Sequence, residues 1–175
     1  IRSTAWTAML LLHVILCIGP LARLDARFLP LLYNRRHLGV TMFFLALVHA
    51  GLATFQFHAL GKANPIVSVL TAYRADYDPL NGPAQSLGQF PFEPFGAIAL
   101  VILFLMAATS HDFWLRNLGA WFWKLMHMLV YVAYGALIVH VSFGSLQSER
   151  SPVYAGCVGF GALVVVGLHV IAYRR

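Results

Sequence analysis

Five long stretches without a single Lys, Arg, Asp or Glu limit what this 175-residue chain can fold into. A helix that crosses a bilayer needs about 20 apolar residues, with a range of about 17 to 25. Only helices and closed barrels satisfy the backbone polar groups inside lipid, and continuous apolar runs are typical of helices. The sequence therefore predicts an all-α, polytopic membrane helix bundle with five spans, over 3–22, 37–61, 94–111, 125–148 and 151–173.

Composition supports the same class of protein. The chain is 60% hydrophobic and only 10% charged, whereas soluble domains carry roughly 25% charged residues. This excludes a soluble enzyme, a disordered chain and a disulfide scaffold. The net charge of +6 does not indicate a nucleic-acid partner, because the basic residues lie between the apolar runs. Cys17 and Cys157 lie inside apolar runs, as packing residues do.

The basic residues predict the direction of the spans. Eight of the 12 Lys and Arg residues lie in the first and third connections and the C-terminal tail, and the positive-inside rule places these segments in the cytoplasm. We therefore expect an integral membrane protein with one further helix upstream. The 62–93 connection is then a long non-cytoplasmic loop, either a structured cap or a docking site for a partner.

Histidines are the most informative side chains. Six of the eight lie inside or at the edge of the apolar runs, at His13, His37, His49, His127, His140 and His169. Ionisable residues at membrane depth are costly and face the bundle interior, which makes them candidates for function. A neutral imidazole can ligate heme iron through one nitrogen while the other nitrogen is hydrogen-bonded. For any single histidine the alternative is a hydrogen-bonded packing residue.

Depth decides which histidines can share one iron. With a helix rise of about 1.5 Å per residue, His49 lies roughly 20 Å above Arg36 and His140 lies roughly 24 Å above Lys124. Both helices run in the same direction, so the two imidazoles are predicted at a similar height and are suited to clamp one heme.

A second histidine level lies nearer the cytoplasm. His127 is 13 residues before His140, which corresponds to roughly 20 Å along the helix axis. That separation suits a second heme that relays electrons across the bilayer. His37 and His169 are the candidate partners at this level.

Two stretches carry a family resemblance. Residues 34–49 run from Asn-Arg-Arg-His-Leu-Gly to His49, and residues 116–140 contain Arg-Asn-Leu-Gly, then a Trp-x-x-x-His that ends at His127, then Leu-Val-Tyr and His140. This pattern resembles the ferric-reductase-like transmembrane domain family over roughly residues 12–173. The family includes the heme-binding membrane subunit of a bacterial methionine sulfoxide reductase system and is distantly related to the NADPH oxidases.

The resemblance implies a b-type cytochrome and, from the bacterial members of the family, a location in a bacterial inner membrane. By the pattern of the family, His49 and His140 match the axial pair of the outer heme, and His127 matches an inner-side ligand. In the oxidases the second inner ligand would fall near Arg35 or Arg36, and here the adjacent His37 is the nearest histidine. The implied cofactor is heme b, with one or two hemes, and a flavin or a quinone is the further alternative at the inner face.

Two arginines complete the candidate cofactor site. Arg36 and Arg116 each stand two residues before a Leu-Gly pair and near a candidate ligand. Arginine recognises carboxylates and phosphates bidentately, so these side chains are suited to a heme propionate, a flavin phosphate or an acidic partner. Their alternative role is topology and contact with lipid head groups.

Together these patterns predict that residues 1–175 form one heme-binding transmembrane domain. It would carry electrons across the bilayer between a quinol, flavin or iron–sulfur partner, or a fused domain, and an acceptor, as the electron-transfer component of an oxidoreductase. The alternatives are a heme b subunit or domain of a larger respiratory assembly and a cofactor-free structural subunit of the same fold. A transporter is disfavoured, because no acidic residue lies inside a predicted span.

Overall fold

The computed structural model describes residues 1–59, 64–71 and 91–174, and no strand occurs among them. Their helices are α1 (Arg2–Leu24), α2 (Leu29–Thr54), α3 (Pro65–Thr71), α4 (Glu93–Ala108), α5 (Asp112–Leu118), α6 (Ala120–Met128), α7 (Val130–Phe143) and α8 (Pro152–Arg174). A π-helical turn, Phe55–Ala59, continues α2, and short 3-10 turns precede α2 and follow α7. The predicted all-α class is confirmed.

Helix length and composition support a polytopic membrane protein. Within the described ranges, four continuous helical stretches are long and apolar enough to cross a bilayer, at Arg2–Leu24, Ala26–Ala59, Ala120–Gln147 and Pro152–Arg174. Helices α4 and α5 pass the same test together, but the chain bends by 92° between them. Counted as one broken span, this pair gives the predicted total of five.

The largest boundary difference is at α2, which begins at Leu29, eight residues before its predicted span. Arg35, Arg36 and His37 therefore lie inside the helix. Charge does not end a helix, because long arginine side chains reach the aqueous boundary while their backbone stays helical. Pro30 in the first turn is also compatible with a helix start, where a missing N–H costs nothing.

Helix α4 ends earlier than predicted, at Ala108 rather than at residue 111. The next two side chains turn back onto its last carbonyls: Thr109 Oγ1 donates to Leu105 O and Ser110 Oγ donates to Met106 O, both at 2.6 Å. These hydroxyls compete with the backbone for acceptors, which favours a helix end. The chain then turns sharply into α5.

Helix α1 lies at the centre of the bundle. It packs against α2 and α8, while α4 packs against α7. Leu12 and Leu16 of α1 are completely buried. A Cβ atom at Gly161 of α8 would collide with the His13 imidazole, so the glycine lets the two helices approach closely.

The outer surface is apolar, as a lipid-facing surface must be. On α8, Phe160 and Leu163 are 70% and 74% exposed. Large exposed apolar surfaces are rare on soluble monomers. Of the predicted 62–93 loop, the structure describes α3 and the segment from residue 91; residues 62–63 and 72–90 lie outside the described residues.

Candidate functional site

Two predicted site histidines face each other across the bundle. The ring centroids of His49 on α2 and His140 on α7 lie 6.5 Å apart, with the ring planes at 73°. Two imidazoles that share one metal through bonds of about 2 Å, with each nitrogen about 1.2 Å from its centroid, have centroids roughly 6.4 Å apart. The observed separation therefore leaves room for one metal ion between the rings.

Backbone carbonyls hold both rings. His140 Nδ1 lies 2.9 Å from Phe92 O, and His49 Nδ1 lies 3.3 Å from Ile1 O. In each case Nδ1–H donates to the carbonyl, so the lone pair of the neutral imidazole is on Nε2. Histidines that ligate metals are oriented in this way. The hydrogen bonds thus select the tautomer that an axial ligand requires.

Glycines bring backbone up to the His140 imidazole. A Cβ atom at Gly96 of α4 would lie 2.7 Å from two His140 ring atoms. A Cβ atom at Gly144 would lie 2.6 Å from His140 O and 2.7 Å from the Phe92 ring. The Phe92 ring itself lies 5.4 Å from the imidazole, centroid to centroid. The His140 ring can therefore take this position only because Gly96 and Gly144 have no side chain.

A cavity of about 880 Å³ lies around the two histidines. Ligand pockets have volumes of about 300–1,000 Å³ and are mostly apolar, with a few polar groups. The deeper lining is apolar, from Met9, Met42, Ala46, Leu100, Leu103 and Leu137. A flat apolar macrocycle with two axial nitrogen ligands fits this donor set and this wall, so the residues present fit a heme.

His127 lies in a different setting, near the basic end of the bundle, which we define as the end that carries Arg35, Arg36 and Lys124. Its ring stacks on Trp123 at 3.8 Å with a 27° tilt, and its Nδ1 lies 2.9 Å from Trp123 O. The guanidinium carbon of Arg36 lies 5.5 Å from the centroid of the Trp123 ring system. Arg36, Trp123 and His127 thus form a row of neighbouring side chains at the basic end.

The described residues place neither predicted histidine partner in contact with His127. His37 is exposed. His169 uses both nitrogens, because its Nδ1 lies 2.8 Å from Val165 O and its Nε2 lies 2.8 Å from the Tyr131 hydroxyl. Among the described residues, no group of three or more His, Cys, Asp or Glu side chains is placed to hold a metal ion. The two-histidine arrangement is therefore seen at the His49 level.

The two predicted arginines are exposed near the start of α5. Arg36 forms an ion pair with Asp112, and Arg116 lies close enough for its charge to act on the same carboxylate. The hydrogen bond from Arg36, followed by the charge of Arg36, holds the Asp112 pKa below its usual value. This contact joins α2 to the segment after α4.

Sequence reasoning missed His58. It lies at the end of the π-helical turn and lines the same cavity as His49. In an uninterrupted α-helix the nine-residue step from His49 to His58 makes about two and a half turns, which predicts opposite faces. The π-helical turn changes that rotation, and such turns occur frequently at functional sites. The signal available in the sequence was only a polar residue near the end of an apolar run.

Comparisons with known proteins agree with the fold. The family model described as "Ferric reductase like transmembrane component" matches residues 4–138. Three bacterial relatives are heme-binding subunits of protein-methionine-sulfoxide reductase, named MsrQ. The chain is 31% identical to the protein from Brucella anthropi over 77% of this chain and 53% of that one. It is 29% identical to the Ralstonia nicotianae protein over 97% and 69%, and 27% identical to the Polaromonas naphthalenivorans protein over 80% and 55%.

The chain therefore spans between about half and two thirds of the length of these relatives. No solved structure gives a significant match. The family model covers most of the chain, including His49, His127 and the approach to His140. The resemblance read from the sequence is confirmed: the chain belongs to the family of ferric reductase like transmembrane components.

Proposed function

We propose that the chain is a membrane b-type cytochrome, the heme-containing electron-transfer component of an oxidoreductase. Heme b would lie in the cavity, where Nε2 of His49 and Nε2 of His140 would hold its iron. The observation that carries this proposal is the pair of facing imidazoles, 6.5 Å apart, each oriented by a backbone carbonyl. The relatives named as heme-binding subunits support the same cofactor.

The heme would supply one-electron redox chemistry, and the protein would supply the ligands, orientation and surroundings. His49 and His140 would hold the iron between α2 and α7. The apolar wall of the cavity excludes water and lowers the local dielectric constant, which is one of the ways a protein sets the potential of a heme. The hydrogen bond from His140 Nδ1 to Phe92 O strengthens this imidazole as a ligand.

We propose that the basic end is the entry for electrons or the contact for a redox partner. Arg36, Arg116 and the exposed His37 lie there. Positive charge attracts an anionic cofactor or an acidic protein surface, whether the donor is a quinol, a flavin or an iron–sulfur protein. The relatives assemble, by name, with a methionine-sulfoxide reductase, so a reductase on the opposite side is the proposed acceptor.

His127 is the proposed ligand of a second heme at the basic end. Its support is its distance from His140, roughly 20 Å along the axis, and its ordered ring on Trp123. A one-heme protein is the alternative, with the Trp123 and His127 rings lying between the outer heme and the basic end. Heme content per chain separates the two.

The chain is an integral membrane protein, in agreement with its transmembrane family and its bacterial relatives. A location in a bacterial inner membrane agrees with the transmembrane family and with the bacterial relatives. Heme b is held without a covalent bond, so a membrane preparation retains it only if the ligands are present.

A spectrum of the purified full chain tests the proposed function. We expect the reduced-minus-oxidised bands of a b-type heme and at least one heme per chain by pyridine hemochrome assay. A well-folded chain with no bound heme would overturn the proposal and favour the cofactor-free structural subunit.

A further inference from the structure

The cavity between His49 and His140 has two chemically different ends. Along α4 the lining changes from Glu93 at its beginning to Leu100 and Leu103 deeper in the bundle. Along α2 the lining changes from Met42 and Ala46 to the polar Thr54 at the end of the helix. The cavity is therefore apolar towards the centre of the bundle and polar at the end opposite the basic end.

This polarity sets the orientation of a bound porphyrin. Heme b carries its two carboxylates on one edge of an otherwise apolar ring. An unpaired carboxylate in apolar surroundings is very costly. The carboxylate edge must therefore face the polar end, where Gln56, His58, Ser145 and Gln147 line the cavity.

His58 is the side chain best prepared for that edge. It is only 6% exposed, and its Nδ1 lies 2.8 Å from Ser68 Oγ. Ser68 belongs to α3 and is itself 2% exposed, so the hydrogen bond fixes the ring from a separate helix. When the serine hydroxyl donates to Nδ1, the neutral imidazole carries its proton on Nε2.

Among the described residues, the arginine that lines this cavity is paired with a carboxylate. Arg2 also lines this cavity, but its guanidinium forms an ion pair with Glu149 at 3.1 Å. The hydrogen bond with Ser68 engages Nδ1 of His58, so Nε2 is the ring nitrogen that remains for a ligand in the cavity. An imidazole N–H that reaches a carboxylate forms one of the stronger hydrogen bonds, because the acceptor is ionised.

We propose that His58, oriented by Ser68, donates a hydrogen bond from Nε2 to one carboxylate of the heme bound between His49 and His140. This inference rests on the proposed function and deepens it. His58 is not an iron ligand in this arrangement. Its role is to select the orientation of the porphyrin and to slow its release.

The test compares two porphyrins that differ only in these carboxylates. The full chain is produced without heme and loaded with heme b or with its dimethyl ester, and the rate of release to a heme-scavenging globin is measured. We expect the wild-type chain to release the ester several-fold faster than heme b. His58→Ala should release heme b nearly as fast as the ester, which abolishes the difference.

Two further variants separate the proposed hydrogen bond from a general loss of folding. His58→Gln retains an N–H donor and should keep part of the difference between the two porphyrins. Ser68→Ala frees the ring and should reduce the difference. The control is His111→Ala, which removes an exposed histidine at the start of α5, far along the chain from the cavity; it should match the wild-type chain.

An unchanged difference between heme b and its ester in both His58→Ala and Ser68→Ala overturns this inference and leaves the proposed function intact. If His58→Ala does not reach the membrane, the release of heme b and of its ester is compared in Ser68→Ala and His58→Gln instead. An unchanged difference in both of these variants overturns the inference. A folded wild-type chain that takes up neither porphyrin overturns the proposed function, and this inference with it.

Discussion

The imidazoles of His49 and His140 face each other from α2 and α7, with centroids 6.5 Å apart and planes inclined at 73°. They are 91 residues apart in the sequence, and each is hydrogen-bonded to a backbone carbonyl through Nδ1. This pair is the site that we propose for one heme iron, because a neutral imidazole oriented through Nδ1 can ligate iron through Nε2. The first two predictions follow from this pair.

Removal of either ring should remove the outer heme. We expect His49→Ala and His140→Ala to lose most of the heme bound at this level, because the cavity then offers one axial nitrogen in place of two. The measurement is heme per chain by pyridine hemochrome assay, with the reduced spectrum. His169→Ala is the matched control, because both nitrogens of His169 are engaged between α7 and α8. Equal heme content in all three variants would contradict the assignment.

The angle between the two rings predicts a spectroscopic signature. When axial imidazole planes lie close to perpendicular, neither of the two iron d orbitals that meet the ligand planes is favoured, and the ferric ion retains much of its orbital magnetism. We therefore expect the ferric protein to give a strongly anisotropic low-spin electron paramagnetic resonance signal, dominated by one low-field feature. A well-resolved rhombic signal, as parallel planes produce, would contradict the 73° inclination.

Gly96 should be essential to the position of His140. A methyl group there would meet the imidazole at 2.7 Å, and overpacking of this kind costs about 1–3 kcal/mol. We expect Gly96→Ala to lower heme content and to broaden the spectrum of the remaining heme. Gly135→Ala on α7 is the control, since no atom lies within 4 Å of the added methyl group. It should be neutral or slightly stabilising, because alanine is the better helix former. Equal behaviour of the two variants would contradict the tight packing at Gly96.

The carboxylate of Asp112 is fully exposed, beyond the end of the predicted span 94–111, and should titrate below its ordinary value. The hydrogen bond from Arg36 and the charge of Arg36 lower its pKa from 3.8. A folded-state pKa below the unfolded one means that the contact stabilises the fold above the unfolded pKa. This contribution disappears as the pH falls through the folded pKa. Carbon-13 NMR of the aspartate carboxyls in micelles measures the shift.

Arg36→Gln supplies the comparison for that titration. Without the guanidinium, the Asp112 pKa should return towards 3.8, with a small remaining effect of the nearby Arg116 charge. Because Asp112 is fully exposed, we expect little change in thermal stability from this substitution at neutral pH. An Asp112 pKa that stays equally low in Arg36→Gln would show that Arg36 is not its partner.

Much of the architecture could be predicted from the sequence, because each helix depends mainly on the residues within its own segment. The apolar runs predict the spans, since a backbone in lipid has few alternatives to a helix. Charge did not predict the helix ends as well, and α2 begins at Leu29 although basic residues follow it. The 92° bend between α4 and α5 was also missed, because it arises where Thr109 and Ser110 bond back to carbonyls of the preceding turn.

Part of the candidate site could also be predicted from the sequence, and part of it could not. The heights of His49 and His140 follow from the rise per residue, which is the same in every α-helix, so the sequence predicts that they lie close together. The partner of His127 could not be obtained by that arithmetic. His169 was a candidate by height, but Tyr131 occupies its Nε2. Height along a helix is a local property, whereas the direction of a side chain around it depends on what packs there.

The sequence alone thus determined that this chain is a helical membrane bundle with histidines at two depths, because hydropathy and helical rise act within each segment. Tertiary structure decided which imidazoles meet, which carbonyls orient them, why Gly96 must be small and how His58 comes to face the cavity. These features join residues far apart in the chain, and their positions depend on the rotation and spacing of packed helices, which no local pattern specifies.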